Sequence, residues 1–156
     1  TFAAENWPWI ERKHWDLAYE EAEDLANYEQ PLHIVGSDID HRMIEISKQN
    51  ALEAGLADVI TFKQMQLKDL RIKQENGYLI TNPPYGERLN DKHYVQHLYE
   101  TLGEIMRQAP SWSVYVLTSD KLFEKYYGKR ATKKRTLFNG FIETHYYQFF
   151  GEKIKR

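Results

Sequence analysis

The spacing of apolar positions changes repeatedly along the chain, and the changes predict alternating helices and strands. Helical spacing alternates with short apolar runs, which are typical of buried strands. Helices are predicted at 11–28, at 41–54, from Val95 to a stop before Pro110, and in a short segment closed by Gly128. Strands are predicted at 32–37, 58–62, 77–81 and 113–118. Strand alternating with helix predicts an α/β fold on a parallel sheet.

The end of the chain has a different pattern. Asn139-Gly140 lies between two strand-like runs, 136–138 and 141–150. This dipeptide is a strong signal for a tight β-hairpin turn. We therefore expect one α/β domain over 1–156, with a mostly parallel sheet and an antiparallel hairpin at one edge.

Composition narrows the class of protein. The chain has 156 residues, of which 42% are hydrophobic and 28% charged, and it has no cysteine. The lack of cysteine excludes disulfide scaffolds, Cys-ligated zinc, iron–sulfur clusters and thiol nucleophiles, and it favours a reducing, cytoplasmic compartment. No apolar run approaches the roughly 20 residues of a membrane helix, so no membrane partner is expected.

Charge is distributed unevenly along the chain. Residues 1–31 carry eight acidic and two basic side chains, whereas residues 121–156 carry ten basic and three acidic side chains. Such a basic end suits an anionic partner such as nucleic acid, although a solvated surface would have the same composition. The candidate RNA-binding residues form a basic cluster: Lys129, Arg130, Lys133, Lys134 and Arg135.

Polar side chains follow three predicted strands. Asp38 follows the first strand, Asp69 the second and Asn82 the third. Ligands of open α/β sheets bind beyond the carboxyl ends of the strands, so these ends are expected to form one crevice. Asp38 is placed to accept hydrogen bonds from a ribose, because Asp40 is better placed to cap the following helix. Asp69 is a weaker candidate, since acids in such loops are usually only solvated.

The segment Asn82-Pro83-Pro84-Tyr85, here the NPPY turn, is the most specific feature of the sequence. Each proline fixes φ near −65° and removes a backbone donor, so the carbonyls of the turn have fixed directions. The Asn82 side-chain oxygen and a fixed carbonyl can accept the two hydrogens of an amine, and Tyr85 can stack on a base. A simple turn or a ligand for proline-reading modules would be the alternatives.

These residues resemble those of class I S-adenosylmethionine-dependent methyltransferases that methylate amines, which carry Asn/Asp-Pro-Pro-Tyr/Phe. The segments 36–40 (GSDID), 82–88 (NPPYGER) and 147–151 (YQFFG) are similar to those of RNA guanine 2-amino methyltransferases with a THUMP domain, including the large ribosomal subunit methyltransferase L group. The resemblance implies a Rossmann-like fold, S-adenosylmethionine as cofactor, and RNA, most closely large-subunit ribosomal RNA, as the substrate.

The resemblance also implies a role for each matching residue. Asp38 would bind the cofactor ribose and Ile39 would pack beside its adenine, while Asp69 would accept from the adenine amino group with Leu70 nearby. In the NPPY turn, Asn82 and the Pro83 carbonyl would hold the target amine, with Pro84 fixing the turn and Tyr85 stacked on the base. No metal and no separate general base are implied.

One part of the family pattern is missing. The eight glycines include no Gly-x-Gly, so the first strand of the family and its glycine-rich cofactor loop have no match. The opening residues 2–9 resemble the segment that follows that loop. We therefore expect 1–156 to be part of a catalytic domain, with the first strand and an RNA-binding domain before residue 1, and to bind cofactor poorly by itself.

Several alternatives follow from the same residues. A dinucleotide-dependent dehydrogenase could use Asp38 but would not need the NPPY turn, and a non-catalytic RNA-binding module could use the basic end. Within the methyltransferase reading, adenine 6-amino groups or guanine in transfer RNA are the alternative targets. His93 and His97 are spaced like metal ligands on a helix, but the sequence offers no third ligand.

Overall fold

The computed structural model describes residues 2–85 and 92–152, and it consists of alternating strands and helices followed by a hairpin. The helices are α1 (Arg12–Leu25), α2 (His41–Glu53), α3 (Lys92–Arg107) and α4 (Phe123–Tyr127). The strands are β1 (Ile34–Asp38), β2 (Ile60–Gln64), β3 (Tyr78–Thr81), β4 (Ser113–Thr118), β5 (Lys133–Asn139) and β6 (Ile142–Phe149). Two short 3₁₀ helices lie at Ala3–Asn6 and Leu67–Asp69.

Local signals set several of these boundaries. Asp40 caps α2, since its side chain accepts a hydrogen bond from the Arg42 N–H. Gly128 ends α4 in the left-handed region at φ 80°, where a glycine is unstrained. Gly140 begins the hairpin turn at φ 61°. Helix α1 ends at Leu25, three residues earlier than predicted.

The strands form two sheets, whereas the sequence predicted one. Parallel strands β1 and β2 form a two-stranded sheet, and the other strands form a sheet in the order β3-β4-β6-β5. Strand β3 pairs with β4 in parallel, while β6 pairs antiparallel with both β4 and β5. The α/β class and the antiparallel hairpin are confirmed. Among the described strands the β1–β2 sheet is parallel, and the four-stranded sheet is mixed, with one parallel and two antiparallel pairs.

The core lies on one face of the four-stranded sheet, beneath α3 and α4. Apolar side chains four and three residues apart on α3 pack against inward-facing positions of β4 and β6. These core residues are Val95, Tyr99, Leu102, Met106, Ala109, Val114, Val116, Phe123, Tyr127, Tyr147 and Phe149. This packing holds the carboxyl ends of β3 and β4 in a fixed relation.

Strand β1 is exposed, which corrects the prediction that its apolar run is a buried strand. Ile34 is 46% exposed and Val35 is 59% exposed. On the edge strand β3 of the other sheet, Tyr78 is 72% exposed and Ile80 is 74% exposed. The physical reason is that β1 and β3 each pair on one side only among the described strands. Parallel strands are normally covered on both faces and paired at both edges.

Candidate functional site

The NPPY turn leaves the carboxyl end of β3, where α/β folds place their ligands. Asn82 is exposed and Tyr85 is half-buried. The Tyr85 hydroxyl donates a hydrogen bond to Asn82 Oδ1 at 2.8 Å. The side-chain acceptor identified from the sequence is therefore directed at an O–H donor, and a target amine would have to take the place of that hydroxyl. Residues 86–88 of the longer NPPYGER resemblance lie outside the described residues.

Tyr99 lies beneath the turn and connects it to the end of β4. Its side chain is fully buried, and its hydroxyl lies 2.9 Å from Thr118 Oγ1 and 3.4 Å from the Pro84 carbonyl oxygen. The Asp120 N–H donates to Thr118 Oγ1 at 3.1 Å. Burial raises the pKa of Tyr99 to about 12, so its hydroxyl keeps its proton at neutral pH.

Asp38 lies at the carboxyl end of β1 with an exposed carboxylate. Its Oδ1 accepts a hydrogen bond from the Asp40 N–H at 2.8 Å. Asp40 in turn accepts from both the side chain and the N–H of Arg42, and these hydrogen bonds lower the pKa of the Asp40 carboxyl. The helix cap is thus Asp40, as predicted, and Asp38 presents its carboxylate at the strand end.

The ends of β1 and β2 are joined to one another. The Met65 N–H donates to the Asp38 carbonyl at 2.9 Å, and the Gln64 side chain donates to the Ile39 carbonyl at 3.1 Å. Two residues after Met65, Leu67 packs against the core under α3. The segment after β2 therefore connects the ends of β1 and β2 to the core under α3.

The two candidate adenine-binding residues lie at the end of that segment. Asp69 closes the short 3₁₀ helix and is exposed, while Leu70 is partly buried. Asp69 is held by its backbone, whose N–H donates to the Gln66 carbonyl at 3.0 Å. The proposed adenine contact itself stays a prediction.

The basic cluster is divided between the two faces of the sheet. Lys134 pairs with Tyr147 on the core face, and its Nζ lies 3.7 Å from Glu124 and 5.4 Å from the Tyr147 ring centre. Arg135 pairs instead with Tyr146 on the opposite face. Side chains alternate along a strand, so consecutive basic residues cannot share a face. The remaining members, Lys129, Arg130 and Lys133, are exposed, and Lys133 lies on the Arg135 face.

An apolar recess of ≈ 370 Å³ adjoins Asn82, and the sequence analysis did not single it out. It lies on the sheet face that carries Arg135. Its lining residues are Ile80, Thr81, Asn82, Leu117, Leu137 and Tyr146. Three strands contribute these residues besides β3, so no spacing along the chain could have grouped them. Asn82 is the polar side chain that carries a hydrogen-bonding amide in this lining.

Searches for two other kinds of site gave negative results within residues 2–85 and 92–152. No helix there is both long and apolar enough to cross a membrane. The same residues contain no group of three or more His, Asp or Glu side chains that could hold a metal ion. The described part of the chain thus offers no ready third ligand to His93 and His97.

Comparison with protein families and curated sequences identifies relatives of the whole chain. Residues 2–148 match the model of a family described as RMKL-like, methyltransferase domain. YpsC of Bacillus subtilis strain 168, whose name describes an RNA methyltransferase, is 53% identical over 97% of this chain and 39% of its own length. Ribosomal RNA large subunit methyltransferase K/L of Shewanella baltica strain OS185 is 35% identical over 91% of this chain and 21% of its own.

Solved structures show the same fold over the same residues. SMU.472, described as a methyltransferase and crystallised with SAH, is 44% identical with a TM-score of 0.85 over 99% of this chain and 41% of its own. A Listeria monocytogenes protein, named as an N6-adenine-specific DNA methylase, is 53% identical with a TM-score of 0.80 over 97% of this chain and 39% of its own. The chain thus spans well under half the length of these relatives. With the family model matching nearly its entire length, the chain belongs to the RMKL-like methyltransferase domain family.

Proposed function

We propose that this chain is part of an S-adenosylmethionine-dependent methyltransferase that modifies an exocyclic amine of a base in RNA. The observation that carries the proposal is the amide oxygen of Asn82, which stands at the carboxyl end of β3 and already accepts from a donor, the Tyr85 hydroxyl. An amine that replaced this hydroxyl would find the same acceptor. Family membership and the RNA-directed names of YpsC and the K/L enzyme support the same activity.

The NPPY turn suits an amine because it presents acceptors rather than donors. Pro83 and Pro84 lack N–H groups, so two consecutive residues of the turn cannot donate from the backbone. An amide oxygen and a carbonyl that hold both N–H groups of an amine would direct the nitrogen lone pair away from them, and would stabilise the positive charge that develops on nitrogen. Tyr85, released from Asn82, would then be able to stack on the base.

The cofactor would occupy the ends of β1 and β2. S-adenosylmethionine, when bound, supplies a methyl group carried on a positively charged sulfur. Asp38 presents an exposed carboxylate, which suits two ribose hydroxyls, and the neighbouring Ile39 is 55% exposed, which suits an apolar adenine face. Asp69 would accept a hydrogen bond from the adenine amino group, with Leu70 nearby. SAH, the compound crystallised with SMU.472, is S-adenosylmethionine after loss of its methyl group.

We further propose that the site is completed by a strand from outside residues 1–156. The described edges of β1 and β3 are open, and both carry exposed apolar side chains. A parallel strand inserted between these edges would unite the two sheets and cover Val35 and Ile80. The relatives are long enough to supply such a strand, because this chain spans 39% of YpsC.

A cofactor titration tests that completion. We expect residues 1–156 alone to bind S-adenosylmethionine about 10–100-fold more weakly than the longer protein, because the cofactor contacts of the inserted strand would be missing. Calorimetry on the two polypeptides makes the comparison. Equal affinities would show that the ends of β1 and β2 suffice for binding, and would contradict the proposal that an inserted strand completes the cofactor site.

The most specific target that we propose is the 2-amino group of a guanine in large-subunit ribosomal RNA. The resemblance of the NPPY turn and its neighbours to the guanine-modifying RNA group supports it, as does the name of the K/L relative. The Listeria relative, named for adenine in DNA, favours the 6-amino group of adenine as the second candidate. Both amines are chemically compatible with an amide-oxygen acceptor.

Single-turnover methyl transfer from radiolabelled cofactor tests the activity. In the longer protein, Asn82→Ala should slow transfer about 10²–10³-fold while cofactor affinity stays near wild type, because Asn82 acts on the target. Asn27→Ala is the matched control, since Asn27 Oδ1 also accepts a hydrogen bond at an exposed site, from the Glu29 N–H. Mass spectrometry of digested RNA distinguishes methylated guanosine from methylated adenosine. RNA binding without transfer in the wild type would favour a non-catalytic module.

A further inference from the structure

We propose that Tyr99 is a positioning residue, which fixes the direction of the NPPY turn by holding the Pro84 carbonyl. The inference rests on the proposed function, since the turn is taken to be the amine-binding element. Tyr99 lies on α3, more than a dozen residues after the turn, and its spacing from Val95 and Leu102 gives it the appearance of an ordinary core position.

The backbone of the turn has little freedom, and its freedom is concentrated at one torsion. The rings of Pro83 and Pro84 fix φ at both residues. Asn82 and Pro83 each precede a proline, which restricts their ψ angles to the extended region. The ψ angle of Pro84 is restricted by neither effect. Rotation about it swings the Pro84 carbonyl and, with it, the direction in which the chain continues to Tyr85.

Tyr99 restrains the ψ angle of Pro84 from the core side of the turn. Its hydroxyl donates to the Pro84 carbonyl at 3.4 Å, and a bond to this oxygen fixes the plane of the peptide between Pro84 and Tyr85. Since the Tyr85 hydroxyl reaches back to Asn82, a fixed plane also fixes the starting position of the side chain that is to stack on the base.

The hydrogen bonds from Asp120 through Thr118 and Tyr99 to Pro84 can all form at once, because each has one donor and one acceptor. The Pro84 carbonyl can only accept, so the Tyr99 hydroxyl uses its one hydrogen there. The Thr118 hydroxyl is then the donor of the Tyr99–Thr118 bond, and Thr118 Oγ1 accepts from the Asp120 N–H. The Tyr99 and Thr118 hydroxyls each donate one hydrogen and accept one, and both side chains are fully buried, which shields the bond between them from water. Tyr99 of α3 thus connects Thr118, at the end of β4, to Pro84, which follows β3.

A purely structural role for Tyr99 makes a different prediction. Its ring packs edge-on against Phe123 with centres 4.8 Å apart, and phenylalanine would keep that contact. If the ring alone mattered, Tyr99→Phe would leave catalysis unchanged. If the Tyr99 hydroxyl served only as a hydrogen-bond partner for Thr118, then Thr118→Val and Tyr99→Phe would change kcat by the same factor.

The test compares kcat and KM for Tyr99→Phe, Thr118→Val and Tyr127→Phe in the longer protein. Tyr127 is the matched control, because it is a buried core tyrosine that borders a separate cavity near Arg107. We expect Tyr99→Phe to lower kcat about tenfold, with KM for RNA and cofactor affinity within about twofold of wild type, as a misplaced reacting group costs rate. Tyr127→Phe should keep kcat within about twofold, whereas Thr118→Val, which leaves Tyr99 able to donate to Pro84, should lower kcat less than Tyr99→Phe does.

A second measurement is independent of activity. In protein labelled with ¹⁵N-tyrosine, relaxation of the Tyr85 amide reports on the peptide that Tyr99 holds. Its order parameter should fall from about 0.85 toward 0.6 in Tyr99→Phe and stay unchanged in Tyr127→Phe. An unchanged order parameter, or an unchanged kcat, would overturn the positioning role. If the wild-type protein shows no methyl transfer, the proposed function is contradicted instead. The relaxation result would still decide whether Tyr99 fixes the turn.

Discussion

Removal of the Tyr85 hydroxyl should increase the efficiency of methyl transfer, although Tyr85 belongs to the proposed site. The hydroxyl donates to Asn82 Oδ1 at 2.8 Å, so a target amine must displace it. A neutral hydrogen bond contributes about 0.5–1.5 kcal/mol net, and the exposure of Asn82 favours the lower half of that range. Tyr85→Phe, which keeps the ring for stacking, should therefore raise kcat/KM for RNA roughly 2–5-fold.

The opposite change isolates the ring. Tyr85→Ala frees Asn82 as well, but it removes stacking on the base, which is worth about 1–3 kcal/mol, so kcat/KM should fall. The two substitutions at Tyr85 should therefore change kcat/KM in opposite directions. Tyr28→Phe is the matched control, because its exposed hydroxyl also donates at 2.8 Å, to Glu23.

A double-mutant cycle with radiolabelled cofactor decides between these effects. If Tyr85→Phe acts by freeing Asn82, it should change nothing further in an Asn82→Ala background, because the acceptor is already gone. An equal gain in that background would place the effect elsewhere. A fall in kcat/KM for Tyr85→Phe in the wild-type background would refute displacement outright, and would indicate that the hydroxyl itself contributes to transfer.

Three further outcomes are expected. Asp38→Asn should weaken cofactor binding in calorimetry about tenfold, because the charge is lost while Oδ1 can still accept from the backbone; unchanged affinity would leave Asp38 with no cofactor role. Replacing Lys133 and Arg135 with Gln should reduce the salt dependence of RNA binding by roughly 0.7–0.9 per lost phosphate contact, whereas Lys134→Gln should not, because Lys134 faces Glu124; equal slopes would refute that division. Burial raises the pKa of Tyr127 from 10.0 to about 12, so its contribution to the free energy of unfolding is constant below pH 10 and declines as pH rises toward 12; denaturant titrations of Tyr127→Phe should lack that part of the decline.

Features of the fold that depend on a few adjacent residues could be predicted from the sequence. Asp40 caps α2 with its own side chain, and Gly128 ends α4 because glycine tolerates the left-handed region. Asn139-Gly140 correctly predicted a hairpin, although the turn lies one residue later, at Gly140-Phe141, because Asn139 pairs with Ile142. In each case the interaction that determines the structure lies within four residues, so the neighbouring sequence contains it.

Features that depend on partners elsewhere could not be predicted in the same way. The apolar run of β1 correctly indicates a strand, but its burial depends on a neighbour at the open edge, which no residue of the run specifies. The division of the basic cluster was missed for a more local reason. The strand was expected to begin at 136, whereas β5 begins at Lys133, and this places Lys134 and Arg135 on opposite faces.

The chemistry of the candidate site stays a prediction, and its support was not foreseen. The residue types of the NPPY turn predict an amine acceptor, because the two prolines fix the directions of the carbonyls beside the Asn82 amide. Nothing in the spacing connected Tyr99 to that turn, since Tyr99 has the periodicity of a core position. Its hydroxyl acquires a role only when α3 packs across the ends of β3 and β4.

The two halves of the proposed site consequently differ in how firmly they are held. The amine-binding half stands on β3 and β4, under which α3 packs a continuous core, and Tyr99 ties the turn to that core. The cofactor-binding half stands on a two-stranded parallel sheet whose apolar side chains are largely exposed, with Ile44 and Ala51 of α2 as its buried apolar residues. Isolated two-stranded sheets are marginally stable. Cofactor affinity should therefore depend on completion of the sheet far more than the geometry of the NPPY turn does, and an added strand would strengthen methyl transfer mainly through the cofactor.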